Sequence, residues 1–129
     1  MRDKKSLILI VDDDKFISEM YATKFQNNGF EVGAAYDGAS ALEKIKDFNP
    51  EVVLLDLVMH PVDGFSVLEA IQKFPDGQKP LVIILSNLGQ KEDIERGMLL
   101  GAADYVIKAN FTPSEVFEKV EKVLRMKHS

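Results

Sequence analysis

The stretch ILIVDDDKF, residues 8–16, runs from four apolar residues directly into three aspartates. A short run that is apolar on both faces reads as a strand of a parallel sheet covered by helices on each side. Three neighbouring carboxylates at its end repel one another, and the end of a buried strand solvates them poorly. The pattern asks for a positive partner at that place.

Working outward, four more apolar runs follow, at Phe30–Ala35, Val52–Leu55, Leu81–Leu85 and Tyr105–Ile107. Helical spacing fills the gaps. Phe16, Ile17, Met20, Tyr21 and Phe25 recur at helical intervals before an Asn28-Gly29 stop, and Ala39, Leu42 and Ile45 precede Asn49-Pro50. Phe65, Leu68 and Ile71 end at Pro75-Asp76-Gly77, and Ile94 and Met98 end at Gly101. The fifth helix opens on Thr112-Pro113-Ser114-Glu115, a cap residue, a proline at the first helical position and a glutamate placed to close a capping box. Val116, Phe117, Val120, Val123 and Leu124 then form one face, and the polar closing RMKHS is expected to fray. Strand and helix alternate five times, which implies right-handed crossovers and a parallel sheet. The expected fold class is α/β, a doubly wound five-stranded parallel sheet flanked by five helices, in one domain over residues 1–129.

Composition narrows the function. With 129 residues, 46% hydrophobic and 29% charged, the chain has the make-up of a globular domain and not of a disordered one. A net charge of −5 argues against a nucleic-acid grip by this domain itself. The absence of cysteine excludes disulfides and thiolate metal sites and favours a reducing compartment. The apolar run inside MRDKKSLILIVDDD is too short for a signal peptide, and no run of about 18 apolar residues reads as a membrane span. A soluble cytoplasmic domain with no membrane partner is expected.

In a sheet of this kind functional groups collect at the carboxyl ends of the strands. Those ends carry Asp12, Asp13 and Asp14 after the first strand, Asp56 after the third, Ser86 after the fourth and Lys108 after the fifth. Each has an ordinary reading alone: Asp14 as a helix cap, Asp56 as a turn cap, Ser86 as a loop hydroxyl, Lys108 as a solvated charge. Their meeting on one edge is the informative signal. Two carboxylates about 4 Å apart repel by about 4 kcal/mol at an effective dielectric of about 20, so three converging acids repel on the order of 10 kcal/mol. Lys108 offsets part of this. A hard divalent cation with oxygen-only ligands accounts for the remainder, which fits Mg²⁺, with Mn²⁺ as a substitute.

The segments VDD (11–13), LLDLVMHPVDG (54–64), ILS (84–86) and YVIK (105–108), in that order and spacing, resemble the receiver domain of two-component response regulators over essentially the whole chain. That resemblance implies a flavodoxin-like sheet of order 2-1-3-4-5 and a set of roles. Asp56 matches the phosphoacceptor, loaded by a histidine kinase or histidine phosphotransfer protein. Asp13 matches the direct metal-ligating acid and Asp12 its partner, with Asp56 and the Val58 backbone carbonyl completing the metal site. Ser86, Asn87 and Lys108 fall at the phosphate-binding positions, and Ser86 with Tyr105 at those of the conformational switch. Such a domain assists only its own aspartyl phosphorylation and dephosphorylation and is not otherwise an enzyme. The implied partners are the phosphodonor, an output domain or target protein, and a second copy meeting through the face of the fourth and fifth helices.

Several positions depart from the family pattern. His60 replaces the usual proline, with Pro61 following; as one of only two histidines, it reads as a surface loop residue. Val58 stands where a polar side chain is common, Asn87 where a small one is usual, and Ala109 where proline normally follows the lysine. The loop from Lys108 to Thr112 is one residue longer than usual. A cis bond before a non-proline residue costs about 2.5–4 kcal/mol, so Lys108-Ala109 is expected trans although the family's Lys-Pro bond is cis. Two rival functions compete: a receiver-like interaction module that is never phosphorylated, and a haloacid-dehalogenase-like phosphatase with Asp12 as nucleophile and Asp14 two residues on. The phosphatase reading leaves Asp56 unexplained, finds Phe16 where that family prefers Thr or Val, and lacks an acidic pair after Lys108. A nucleotide-binding reading fails because no G-x-G-x-x-G or phosphate loop follows the first strand.

Overall fold

The computed structural model of the chain describes residues 6–128. The first half runs β1 (Leu7–Val11), α1 (Lys15–Gln26), β2 (Glu31–Ala35), α2 (Gly38–Phe48) and β3 (Val52–Leu55). The second runs α3 (Gly64–Gln72), β4 (Leu81–Ser86), α4 (Lys91–Leu99), β5 (Asp104–Ile107), a 3-10 turn at Lys108–Asn110, and α5 (Pro113–His128). All five strands are parallel in the order β2-β1-β3-β4-β5. The expected fold class is the observed one. The helix α5 continues through the polar tail to His128, so the segment expected to fray is helical as far as it is described.

The sheet is apolar on both faces because successive side chains of a strand point to opposite sides. Leu9, Val11, Val53, Leu55 and Ile84 pack with α2 and α3 through Ala41, Ile45, Phe65, Leu68 and Ile71. Ile8, Ile10, Leu54, Ile83 and Val106 face the other way, against Tyr21 and Phe25 of α1 and Val116, Val120 and Leu124 of α5. Phe25, Phe30 and Phe117 meet there with ring centroids 5.2–5.8 Å apart.

The caps are written in the sequence. Asp14, Asp37 and Asp63 each accept hydrogen bonds from first-turn amides of α1, α2 and α3. Before α5 the capping box closes in both directions: Glu115 N–H donates to Thr112 Oγ1 at 3.2 Å, and Thr112 N–H donates to Glu115 Oε1 at 2.9 Å. By contrast α4 has no side-chain cap and buries only Gly97; Arg96 lies over the Phe65 ring at 4.1 Å. Met98, expected on its buried face, is exposed.

The first helix also departs from the sequence reading. Phe16 is 80% exposed and Met20 is exposed, while Ser18 is buried with Tyr21 and Phe25. At about 100° per residue, Phe16 lies half a turn from Phe25, so both cannot face one core. Ala39 of α2 is likewise outside its helix's inward face, which is Gly38, Ala41 and Ile45. At the sheet edge, Ala35 faces β1, its carbonyl accepting from Asp12 N–H at 3.1 Å. Alternation therefore turns the Ala34 carbonyl outward, and the Lys44 ammonium of α2 donates to it.

Candidate functional site

The three neighbouring aspartates have three different surroundings. Asp12 is buried; its Oδ1 accepts from Asp14 N–H at 2.9 Å and its Oδ2 from the Lys108 ammonium at 2.7 Å. Asp13 is exposed. Asp14 caps α1, accepting from the Phe16 and Ile17 amides at 3.0 and 3.2 Å.

Asp56 arrives from β3, buried, its own N–H bonded to the Val11 carbonyl at 2.9 Å. Its Oδ1 accepts from Val58 N–H at 3.3 Å and its Oδ2 from Lys108 at 3.4 Å. One lysine thus bridges two buried carboxylates. Asp12, Asp13 and Asp56 bring carboxylate oxygens within 4.8 Å of one another, the one such cluster among the described residues. An all-oxygen set fits a hard divalent ion better than a soft one.

The electrostatics follow the burial. Desolvation pushes the Asp56 carboxyl above its ordinary value; Lys108 pulls it down, Asp12 pushes it further up, and the Val58 amide lowers it a little. For Lys108, desolvation works to lower the ammonium, but the hydrogen bond to Asp12 and the charge of Asp56 prevail and it stands above its ordinary value. Two carboxylates share one cation here, so the site remains short of positive charge.

Ser86 ends β4, fully buried, and its Oγ accepts from Leu88 N–H at 3.3 Å. Tyr105 of β5 donates its hydroxyl to the Leu88 carbonyl, so two side chains hold one loop residue from opposite polar ends. Desolvation lifts the Tyr105 phenol to about 12, with Asp93 and Asp56 adding to the rise. Gly97 is the reason its ring fits: a Cβ there would stand 3.2 Å from Tyr105 Cδ2 and 2.5 Å from Ile84 Cδ1. Asn87 turns its Oδ1 to Ala109 N–H at 2.9 Å, and the Val58 side chain is half exposed. Lys108-Ala109 is trans, as expected; the one cis peptide bond among the described residues is His60-Pro61. A 3-10 turn, Lys108–Asn110, follows β5 directly.

Gly64 is a site residue that the sequence reading passed over as part of a motif. A Cβ at Gly64 would lie 2.2 Å from the Asp56 carbonyl oxygen and 2.6 Å from Leu57 Cα, so only glycine lets α3 start against the Asp56 backbone. Its N–H donates to the Leu57 carbonyl at 3.0 Å. The Asp63-Gly64 pair, a turn signal just before a helix, is where the sequence carries this.

A doubly wound sheet that delivers acids, a hydroxyl and a lysine to one edge, with no phosphate loop, defines a receiver-type signalling domain. The chain belongs to the response regulator receiver domain family, whose pattern matches residues 8–121. It is similar to the regulatory protein VanRc of Enterococcus gallinarum, 39% identical over 121 residues, which cover 92% of this chain and 49% of that protein. It is also similar to the chemotaxis protein CheY of Treponema pallidum, 35% identical over 121 residues covering 92% of this chain and 82% of that one. The chain spans about half the length of VanRc and of the probable transcriptional regulator ycf27 of Guillardia theta. Among solved structures, the receiver domain of the Francisella response regulator 1452 superposes with a TM-score of 0.86 at 33% identity, covering 95% of this chain and 99% of that one. Such domains are signalling modules of two-component systems, meet kinases and output domains, and are not classical enzymes. Among the described residues no helix is long and apolar enough to cross a membrane.

Proposed function

We propose that residues 1–129 act as one receiver unit that accepts a phosphoryl group on Asp56 from a histidine kinase or histidine phosphotransfer protein and changes conformation in response. The observation that carries this reading is the Lys108 ammonium set 2.7 Å from Asp12 and 3.4 Å from Asp56, with Asp13 alongside. A carboxylate oxygen of Asp56 attacks phosphorus as the bond to the donor's imidazole nitrogen breaks; the electron pair of that bond stays on the imidazole, and an acyl phosphate forms. Phosphoryl transfer needs positioning and charge neutralisation more than covalent assistance. The Val58 amide orients Asp56, while Lys108, the Ser86 hydroxyl and the Asn87 side chain face the incoming oxygens. Mg²⁺ or Mn²⁺, held by Asp12, Asp13, Asp56 and the Val58 carbonyl, would supply the missing positive charge.

The switch follows from the same contacts. Acceptor oxygens on phosphorylated Asp56 draw the Ser86 hydroxyl away from Leu88 N–H. The Leu88 segment then shifts, Tyr105 loses its carbonyl partner, and α4 responds because it has no side-chain cap and one buried residue. The exposed Leu99 of α4 and Met126 of α5 offer apolar surface to an output domain, a target protein or a second copy. The domain works in the cytoplasm and grips neither nucleic acid, given its charge of −5, nor membrane. Mass spectrometry after incubation with acetyl phosphate and Mg²⁺ tests the reading, with wild type and Asp56→Asn run together. One phosphoryl group on wild type and none on Asp56→Asn is expected. Undiminished modification of Asp56→Asn overturns the assignment, and no modification in any condition favours an interaction module.

A further inference from the structure

Two positions that depart from the family pattern, Asn87 and Ala109, are the two ends of one hydrogen bond: Asn87 Oδ1 accepts from Ala109 N–H at 2.9 Å. Ala109 is the second residue of the 3-10 turn after β5, and a first-turn amide has no acceptor within its own turn. No cap residue of that turn supplies one through its side chain. Asn87, 22 residues away, supplies it across the gap between two strand ends. The register makes the reach short, since Ser86 stands opposite Ile107 in the β4–β5 ladder.

The bond sits between the two groups that matter. Asn87 directly follows Ser86, whose Oγ holds Leu88 N–H at 3.3 Å. Ala109 directly follows Lys108, whose ammonium bridges Asp12 and Asp56. We propose that Asn87 is a positioning residue whose hydrogen bond to Ala109 N–H ties the loop after Ser86 to the loop carrying Lys108, so that hydroxyl and ammonium move as one unit. The bond commits Oδ1 and leaves the Nδ2 amide for a phosphoryl oxygen. A proline at position 109 carries no N–H and forbids the clip.

The tie is a property of the unphosphorylated chain; its role in switching rests on the phosphorylation reading above. Hydrogen exchange of the Ala109 amide by NMR, without metal or phosphodonor, therefore tests it independently of that reading. Asn87→Ala should speed Ala109 exchange about threefold to tenfold, the ratio set by the net worth of one hydrogen bond, and shift the Lys108 Cε resonance. Asn87→Asp keeps an acceptor oxygen and loses the Nδ2 donors, so it should restore the slow Ala109 exchange. Ser86→Ala frees Leu88 N–H and should speed Ala109 exchange in the wild-type background but not in Asn87→Ala, a non-additive cycle. Unchanged Ala109 exchange in Asn87→Ala overturns the clip. Equal effects of Ser86→Ala in both backgrounds overturn the coupling. If these results hold while acetyl phosphate fails to modify the wild type, the phosphorylation reading alone is lost.

Discussion

Lys108→Met in metal-free buffer should be among the most damaging single changes to the fold. The ammonium lies 2.7 Å from Asp12 and 3.4 Å from Asp56, with side-chain exposures of 12%, 5% and 8% for Lys108, Asp12 and Asp56. Methionine matches the stem and removes the charge, leaving two buried carboxylates with oxygens within 4.8 Å. At that separation their repulsion is about 3.5 kcal/mol for an effective dielectric of about 20, in line with the roughly 3–5 kcal/mol lost when one partner of a buried pair is removed. For a chain of this length that is a fall in Tm of roughly 10–18 °C. Thermal melts in EDTA by circular dichroism measure it. Lys108→Met/Asp56→Asn should regain most of the loss, because one of the two opposed charges is gone. The pH dependence has a definite sign. Lys108 stands above its ordinary value in the fold, so its stabilisation is fully present below about 10.5 and fades as pH rises through the raised value. The penalty in Lys108→Met should be large at neutral pH and shrink in acid, where the Asp56 carboxyl, raised by burial, loses its charge. A Tm in EDTA within about 3 °C of wild type would show that water, not the lysine, neutralises these acids and would refute the reasoning.

Other substitutions probe the same site. Asp13→Ala should weaken Mg²⁺ binding, read by calorimetry, while its metal-free melt stays at or above the wild-type value, since Asp13 is exposed and relieves only a screened repulsion. Asp56→Asn should raise metal-free stability at neutral pH: burial holds the Asp56 carboxyl above its ordinary 3.8, so the ionised form costs stability. That gain should vanish in urea titrations as pH falls through the raised value toward 3.8, and a constant gain down to acid would contradict the burial argument. Val58 offers an attacking water no hydrogen bond, so Val58→Asn should shorten the life of the phosphorylated form about threefold to tenfold, timed by loss of label. Gly64→Ala should destabilise the fold and slow phosphorylation together, because the Asp56 carbonyl must move from the 2.2 Å contact; normal values of both would show that α3 slides freely.

The alternation of short apolar runs with helical spacing made the five-stranded sheet legible, because strand burial on both faces and helix caps are local signals. Asp14, Thr112 and Glu115 announced their caps by residue type and position alone. The site was legible as a set of strand-end residues, since parallel strands deliver their carboxyl ends to one edge whatever lies between. Packing partners were less so. Phe16 looked like core because apolar type was weighed above angular position, and Met98 because nothing local shows that α4 rests on a glycine. The pairing of Asn87 with Ala109 could not be read at all: it joins residues 22 apart, and each looked only like an isolated departure from the family pattern. The crowding of Asp12, Asp13 and Asp56 is present as expected, with their oxygens within 4.8 Å of one another. The structure separates their duties, with Asp13 in solvent and Asp12 on the lysine.

The Lys44 contact with the outward carbonyl of Ala34 guards one place on the β2 margin of the sheet. A margin strand with free carbonyls is a template on which another chain can add a strand. At β2 an intruding strand would have to displace an ammonium anchored on α2 before its first amide could bond. Self-association by strand addition is therefore handicapped at that carbonyl on the β2 side. Lys44→Met would open that place without touching the acidic edge.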